Sequence, residues 1–366
     1  MGAPTPTPES SPATDHPKAR PISPRGLALG SVLLLTALFS LPWWGTPDQM
    51  RTLVEFITFL ALAQMWNLLA GYGGMVSFGQ QAWIGLGGYT LIVLADDLHV
   101  NMFLAVIVGG VVAALVALPT AALAFRLRGG YFAVGTWVIA EVFRLLVASS
   151  TEWLKGGLGR SLAAAGLMAR PLREQYTYWL AIVIGAGAIA LVYYLMRSRV
   201  GLGLTAIRDS ESAAMSVGVK ITRIKLLVFV IGAFGTGVVG GLIYLNALRI
   251  TPQASFSIQW SAFMAFMVVI GGLGTVEGPI VGAVVFFVLR HYLSSLGPWS
   301  IILLGGTAVI IVLVAPDGLW GVLHRRFGLE LFTIRRRLPA AMAQGQLAMV
   351  EGKPASRDPA LGEPPS

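Results

Sequence analysis

Long apolar runs separated by short polar stretches organise this chain from residue 26 onward. Ten of them are predicted as helical spans, at about 26–44, 52–70, 77–95, 102–124, 131–149, 177–196, 226–248, 260–274, 277–293 and 299–315. Most have the length of about 20 residues that a helix needs to cross about 30 Å of hydrocarbon. The eighth is short for a full crossing. The runs are continuous rather than alternating with period two, which argues against a transmembrane β-barrel. The expected fold class is therefore all-α, a polytopic transmembrane helical bundle of about 10 spans.

Composition agrees with the pattern. Of 366 residues, 55% are hydrophobic and only 12% are charged, about half the soluble average of roughly 25%, and mean hydropathy is +0.74. Forty-four glycines in so apolar a chain suit helices packed closely through small residues. The absence of cysteine excludes disulfides, thiolate catalysis and cysteine-ligated metals. The four histidines, His16, His99, His291 and His324, are scattered over tails and span ends, and no metal site is expected.

The net charge of +9 does not point to nucleic acid, because of where it sits. Basic residues gather in the N-terminal tail, at Arg126 and Arg128, in the stretch 197–225 and in the C-terminal tail. An even number of spans places all of these on one side, which the positive-inside rule makes the cytoplasm. Lys155, Arg160, Arg170 and Arg173 in the segment 150–176 oppose this assignment. Residues 1–25 contain seven prolines and read as a disordered cytoplasmic tail. The first apolar run ends in Pro42, Trp43 and Trp44 rather than a small-residue cleavage site, so it is expected to remain as a span. Residues 26–326 form the expected membrane domain, and 327–366 a second tail, basic and then disordered.

The polar stretch 197–225 stands apart, with six Lys or Arg against two acids. Its centre, Arg208 to Gly218, reads as a short helix on which Asp209, Ala213 and Val217 share a face, as do Glu211 and Met215. Gly218 stands where a helix C-cap belongs. The stretch is either a docking surface for a soluble partner or a solvated loop held inside by its charge. No GxxxxGK[ST] loop occurs, so the chain is not expected to hydrolyse ATP itself. Ionisable residues inside the runs are few: Glu55 and Arg290 near outer ends, and Glu141 and Arg144 in the fifth. Glu141 and Arg144 are three apart and can neutralise each other on one helix face.

Four stretches carry a family resemblance. Glu211, Ala213, Ala214 and Gly218, in the order Glu-x-Ala-Ala-x-x-x-Gly, resemble the cytoplasmic coupling motif of ABC-importer permeases. The longer VGLGLTAIRDSESAAMSVGV is similar to the version in branched-chain amino acid permeases. NLLAGYGGMVSFGQQAWIGLGGY from Asn67 resembles that family's Gly-rich signature, with Gln80 where many members carry histidine. LRGGYFAVGTWVIAEVFRLL from Leu127 resembles its fifth span, and VIGGLGTVEGPIVG from Val269, with LVAPDGLWGVLHRR from Leu313, resembles its C-terminal signatures. The two Gly-Gly turns also hint at an internal repeat, at unequal places in the two halves.

The resemblance implies an ABC-importer permease fold and the membrane-spanning subunit of an ATP-driven importer for branched-chain amino acids, in a bacterial inner membrane with both termini cytoplasmic. It implies two ATP-binding subunits that hold ATP and Mg, a second homologous permease subunit and an extracytoplasmic substrate-binding protein, with no cofactor on this chain. Arg208, Asp209, Glu211, Ala213, Ala214 and Gly218 are implied to couple to the ATPase. Ser77, Gln80, Thr136, Glu141 and Arg144 are candidates for the translocation path or a helix interface. Gly71, Gly73, Gly74, Gly79, Gly85, Gly87, Gly271, Gly272 and Gly274 are candidates for close packing. Two alternatives stand beside this reading: a permease for urea or short amides, and a self-sufficient ion-coupled carrier or channel.

Overall fold

The computed structural model describes residues 20–21, 24–293, 295, 297 and 299–330, so the two expected tails lie largely outside it. The helices follow in chain order as α1 Pro24–Ser40, α2 Pro47–Asn67, α3 Gln80–Ile92, α4 Met102–Ala124, α5 Gly130–Ser149, α6 Thr151–Leu154 and α7 Arg170–Arg197. They continue as α8 Arg199–Asp209, α9 Glu211–Ser216, α10 Ile221–Ala247, α11 Pro252–Ser255, α12 Gln259–Gly271, α13 Glu277–Leu293, α14 Trp299–Val314 and α15 Gly318–Phe327. Local sequence sets the ends. Thr46 and Gln49 form a reciprocal capping box at the start of α2, with Pro47 at the first helical position.

Among the described residues, six helical segments are long and apolar enough to cross a membrane: Pro47–Tyr72, Met102–Ala124, Gly130–Ser149, Arg170–Arg197, Ile221–Ala247 and Pro252–Gly271. A seventh arises if Ile302–Val314 and Gly318–Phe327, bent by 42°, count as one. The expected count of about ten spans is not confirmed: other apolar runs form shorter helices, such as α13 and α14 of 17 and 16 residues. The 13 residues of α3 continue into a wider helical turn, Val93–Asp97, but Gln80 and Gln81 at the start of this run and Asp96 and Asp97 at its end make it less apolar than a full span. Glycine-rich backbone interrupts the run on its N-terminal side, where an apolar pattern alone reads a continuous span.

The interior is made by α3, α4 and α10, which touch backbone to backbone. A Cβ added to Gly87 of α3 would stand 2.0 Å from the Gly237 carbonyl oxygen of α10, and one on Gly109 of α4 would stand 2.8 Å from the Gly87 oxygen. Only hydrogen fits there, so dispersion contact is gained along whole helix lengths. α2 is buried along most of its C-terminal half and packs on α7, α10, α12 and α13.

α10 runs about 40 Å from the α8–α9 end of the bundle to the opposite end. At that far end Arg160–Ser161 pairs antiparallel with Arg249–Ile250, and Arg160 is held by both Asp97 carboxylate oxygens, at 2.8 and 2.7 Å. The segment 150–176, expected as a loop, is therefore partly structured and tied down, and its last residues already belong to α7.

Candidate functional site

Two interrupted helices meet near the α8–α9 end. After α2 the chain passes through a wider turn, Leu68–Tyr72, and then non-helical backbone before α3 starts at Gln80. After α12 it passes through Gly272–Val276 before α13 starts at Glu277. Side chains of α2 satisfy the second break. Gln64 Nε2 donates to the Val276 carbonyl at 2.8 Å, and Asn67 Nδ2 donates to the Thr275 carbonyl at 2.8 Å. The Gly274 amide donates back to Asn67 Oδ1 at 3.0 Å. Unwound backbone in an apolar interior must find partners of this kind, since an unpaired buried amide is costly.

Glycine is required at this junction. A Cβ on Gly71 would stand 2.6 Å from the Gly274 amide nitrogen, and Gly274 itself has φ +72. Gly272 has φ +126, and a Cβ on Gly271 would stand 1.8 Å from the Gly278 oxygen. The two glycine-rich breaks, which sequence position alone sets at unequal places in two halves, meet in space through Gly71 and Gly274. Gly73 and Gly74 shape the first break, with Gly74 at φ +64. Gly79 lies against the Thr136 backbone of α5, and Gly85 against the Phe256 ring.

The expected coupling stretch is two helices, not one. Ser210 is extended at φ −162 and caps α9 by accepting from the Ala213 amide. Asp209 therefore ends α8 and does not share a face with Ala213 and Val217; the capping serine wins over helix continuation because its hydroxyl competes for backbone amides. Gly218, at φ +83, closes α9: its amide donates to the Met215 carbonyl, and the Val219 amide to that of Ala214. Ala213, Met215 and Val217 are exposed, whereas Ala214 is buried against the chain's own helices. Lys225 of α10 donates to the Glu211 carboxylate. Leu204 and Ile207 of α8 are buried, which fixes this platform on the bundle.

Arg208 joins the platform to the break. Its Nη1 donates to the Gly71 carbonyl at 3.5 Å, and the Gly274 α-carbon faces the same nitrogen closely enough that a Cβ there would stand 2.8 Å away. Its Nε is also 3.6 Å from the Asp209 carboxylate.

The five residues grouped as path or interface divide. Ser77, Gln80 and Thr136 lie inside. Trp66 Nε1 donates to the Ser77 carbonyl at 3.0 Å, the Phe78 amide donates to Thr136 Oγ1 at 3.2 Å, and Thr236 Oγ1 donates to Gln80 Oε1 at 3.1 Å. Ser261 of α12 donates to Gln81 Oε1. Glu141 and Arg144 instead sit on the outward face of α5, beside exposed Trp137, Val138, Val142 and Leu145. Arg144 Nε donates to both Glu141 oxygens, at 2.8 and 2.9 Å. Among the described residues, Gln64 Oε1, Gln80 Nε2, Gln81 Nε2 and the Tyr72 hydroxyl are buried without a hydrogen-bond partner.

Gln64, Asn67, Gln81 and Thr275 were not singled out by sequence. Their signal is visible in retrospect: two amide side chains three residues apart in an otherwise apolar helix are worth their desolvation only when both find partners.

Interrupted apolar helices, joined to a polar helical platform at one end of the bundle, define a polytopic membrane protein of permease type. The chain belongs to the family described as "Branched-chain amino acid transport system / permease component", whose profile matches residues 49–316. It is 28% identical over 300 residues to the high-affinity branched-chain amino acid transport system permease protein LivM of Escherichia coli K12, covering 75% of this chain and 70% of the relative. LivM of Salmonella typhimurium LT2 is 27% identical over 278 residues, 69% of this chain and 65% of that protein, so the match spans just under two thirds of it. The LivH permease protein of the same organism is 27% identical over 174 residues, 46% of this chain and 53% of the relative. No solved structure matches the chain.

Proposed function

We propose that this chain is the membrane-spanning permease subunit of an ATP-driven importer of branched-chain amino acids, working beside a second, homologous permease subunit. Two separate ATP-binding subunits would dock on α8 and α9, and an extracytoplasmic binding protein would deliver substrate at the far end of the bundle. Both termini and the α8–α9 platform would then face the cytoplasm. The observation that carries the reading is the Arg208 contact, which ties an exposed helical platform to two interrupted helices in the membrane interior.

In this mechanism ATP binding closes the nucleotide subunits and moves α8 and α9. Through Arg208 the movement reaches Gly71 and Gly274, where backbone without helical hydrogen bonds can be reset at least cost. The outward face of α5 would meet the companion permease or line the path between the two chains. A charge pair such as Glu141–Arg144 is costly against lipid and is expected against protein or water. Substrate release follows from the different affinities of the two states, with no chemistry on the substrate.

The test is reconstitution. Proteoliposomes holding this chain, its companion permease, the ATP-binding subunits and the binding protein should accumulate leucine only with ATP inside. Accumulation by this chain alone would overturn the reading in favour of a self-sufficient carrier. Uptake of urea or short amides in place of leucine would favour an amide importer.

A further inference from the structure

The apolar part of the chain ends in a bent helix pair with arginines in its last turn. Ser300, in the first turn of α14, lines one cavity with Thr251 and Gln253, which follow the Arg249–Ile250 strand at the far end of the bundle. The 16 residues of α14 extend about 24 Å from there. α15, bent from α14 by 42°, adds about 15 Å, so the pair exceeds the roughly 30 Å of hydrocarbon. Gly318 at the start of α15 lies against the second helix break, where a Cβ would stand 2.5 Å from the Gly272 α-carbon. α15 is therefore anchored at the α8–α9 end, and its last turn, with Arg325 and Arg326, reaches headgroup depth.

The exposed surface of this pair carries two chemistries. Leu313 and Val314, which end α14, are 78% and 80% exposed, and Val322 and Phe327 of α15 are exposed as well. Arg326, one turn beyond Val322, is exposed and has no ion-pair partner among the described residues. Arg325 is 61% exposed and donates to Asp317. Arg20–Pro21 runs parallel beside Leu329–Glu330, which brings a third arginine to the end of α15. In sequence, residues 325–337 hold five arginines against one acid, Glu330.

We propose that α15 and the end of α14 bind an anionic phospholipid of the adjoining leaflet. Its acyl chains lie along Leu313, Val314 and Val322, and its phosphate is met by Arg326, with Arg325 beside it. Such a lipid offers hydrocarbon and negative charge in one molecule, as this surface requires. A zwitterionic lipid brings an ammonium that Arg326 repels. A soluble acidic partner would meet the arginines but leave Leu313 and Val314 without apolar cover. The site lies outside the transport path and does not depend on which substrate is carried.

The chain contains no cysteine, so Val322→Cys provides a single thiol for a fluorophore one turn before Arg326. The labelled full-length chain is reconstituted in phosphatidylcholine vesicles with a minor fraction of phosphatidylglycerol, and either lipid in turn carries a nitroxide quencher on its acyl chain. Phosphatidylglycerol should quench about tenfold more strongly per molecule, and salt at about 1 M should abolish the difference. Arg326→Gln should lower the preference about fivefold and Arg326→Lys should retain it, while Arg128→Gln, at another basic turn, should change nothing. Equal quenching by the two lipids, or a preference unchanged in Arg326→Gln, would overturn the site. Quenching by neither lipid would overturn it too, because α15 would then be covered by protein. The comparison of lipids leaves both arginines native, so it decides even where their variants fail to insert.

Discussion

The Arg208 guanidinium and the Gly71 carbonyl, 137 residues apart in sequence, lie 3.5 Å from each other and connect α8 to the first interrupted helix. The bond is long and the Arg208 side chain is 42% exposed, so its contribution to fold stability is small. Its place matters more than its strength, because on the proposed reading it would pass a displacement of α8 to Gly71 and Gly274. Arg208→Ala is expected to leave insertion and assembly intact while lowering ATP-driven uptake by about tenfold, within the usual range of site-to-site coupling. Nucleotide hydrolysis should continue at a higher ratio of ATP to substrate. An unchanged ratio would show that motion reaches the interior by another contact.

Asn67 gives the opposite balance. Its amide donates to the Thr275 carbonyl and accepts from the Gly274 amide, and the residue is fully buried. Asn67→Leu leaves both backbone groups unpaired, a loss of about 1–3 kcal/mol for each. Thermal unfolding of the detergent-solubilised protein should therefore fall clearly below wild type. Asn67→Asp, which retains the acceptor but loses the donor, should lie between the two.

That junction also shows what the sequence could and could not reveal. The apolar runs were readable because hydrocarbon demands length and continuity, and Gly218 was readable because a left-handed helix end demands glycine. The break at Ser210 was missed because serine is compatible with a helix interior until its hydroxyl finds the Ala213 amide. The division of Ala213 from Ala214, one exposed and one buried, depends on how α9 lies against α10, which spacing alone does not fix. The pairing of Gln64 and Asn67 with residues 274–276 is a long-range contact with no local trace.

Small residues in the α3–α4–α10 interior should behave differently from those at the periphery. A Cβ on Gly237 would stand 2.6 Å from that of Ala113, so Gly237→Ala must push α10 from α4 and should cost about 1–3 kcal/mol. Gly187 of α7 has open space around its Cβ position, and Gly187→Ala should be neutral or stabilise by up to about 1 kcal/mol through helix propensity. Equal melting temperatures for the two variants would contradict the packing described here.

Glu141 and Arg144 offer a charge-balance test on the outward face of α5. Either single alanine variant leaves one unpaired charge on a membrane helix, which should reduce the yield of inserted, assembled complex. The double alanine variant should recover most of that yield, and so should the exchanged pair Glu141→Arg with Arg144→Glu, which preserves the three-residue spacing. If the recovered complexes assemble but do not transport, the pair acts in the path. If they transport at the wild-type rate, its role is to make the helix face compatible with the membrane.

At the far end of the bundle, the Arg160 hydrogen bonds hold the Asp97 carboxyl below its usual range, against a smaller opposing effect of desolvation. Because the folded-state value is depressed, the stabilising contribution is present above the unfolded aspartate value of about 3.9 and is lost as pH falls through the folded value. The tether on residues 160–164 should thus be constant from neutrality down to about pH 4 and weaken only below it. Asp97→Asn removes the charge at every pH and should loosen the segment even at neutrality, with Asp96 still accepting from the Ala163 and Ala164 amides at 3.1 and 2.8 Å. Hydrogen-exchange protection factors for this segment, compared between wild type and variant at several pH values, measure the effect directly. Loss of wild-type protection already between pH 7 and pH 5 would mean that a group other than Asp97 controls the segment.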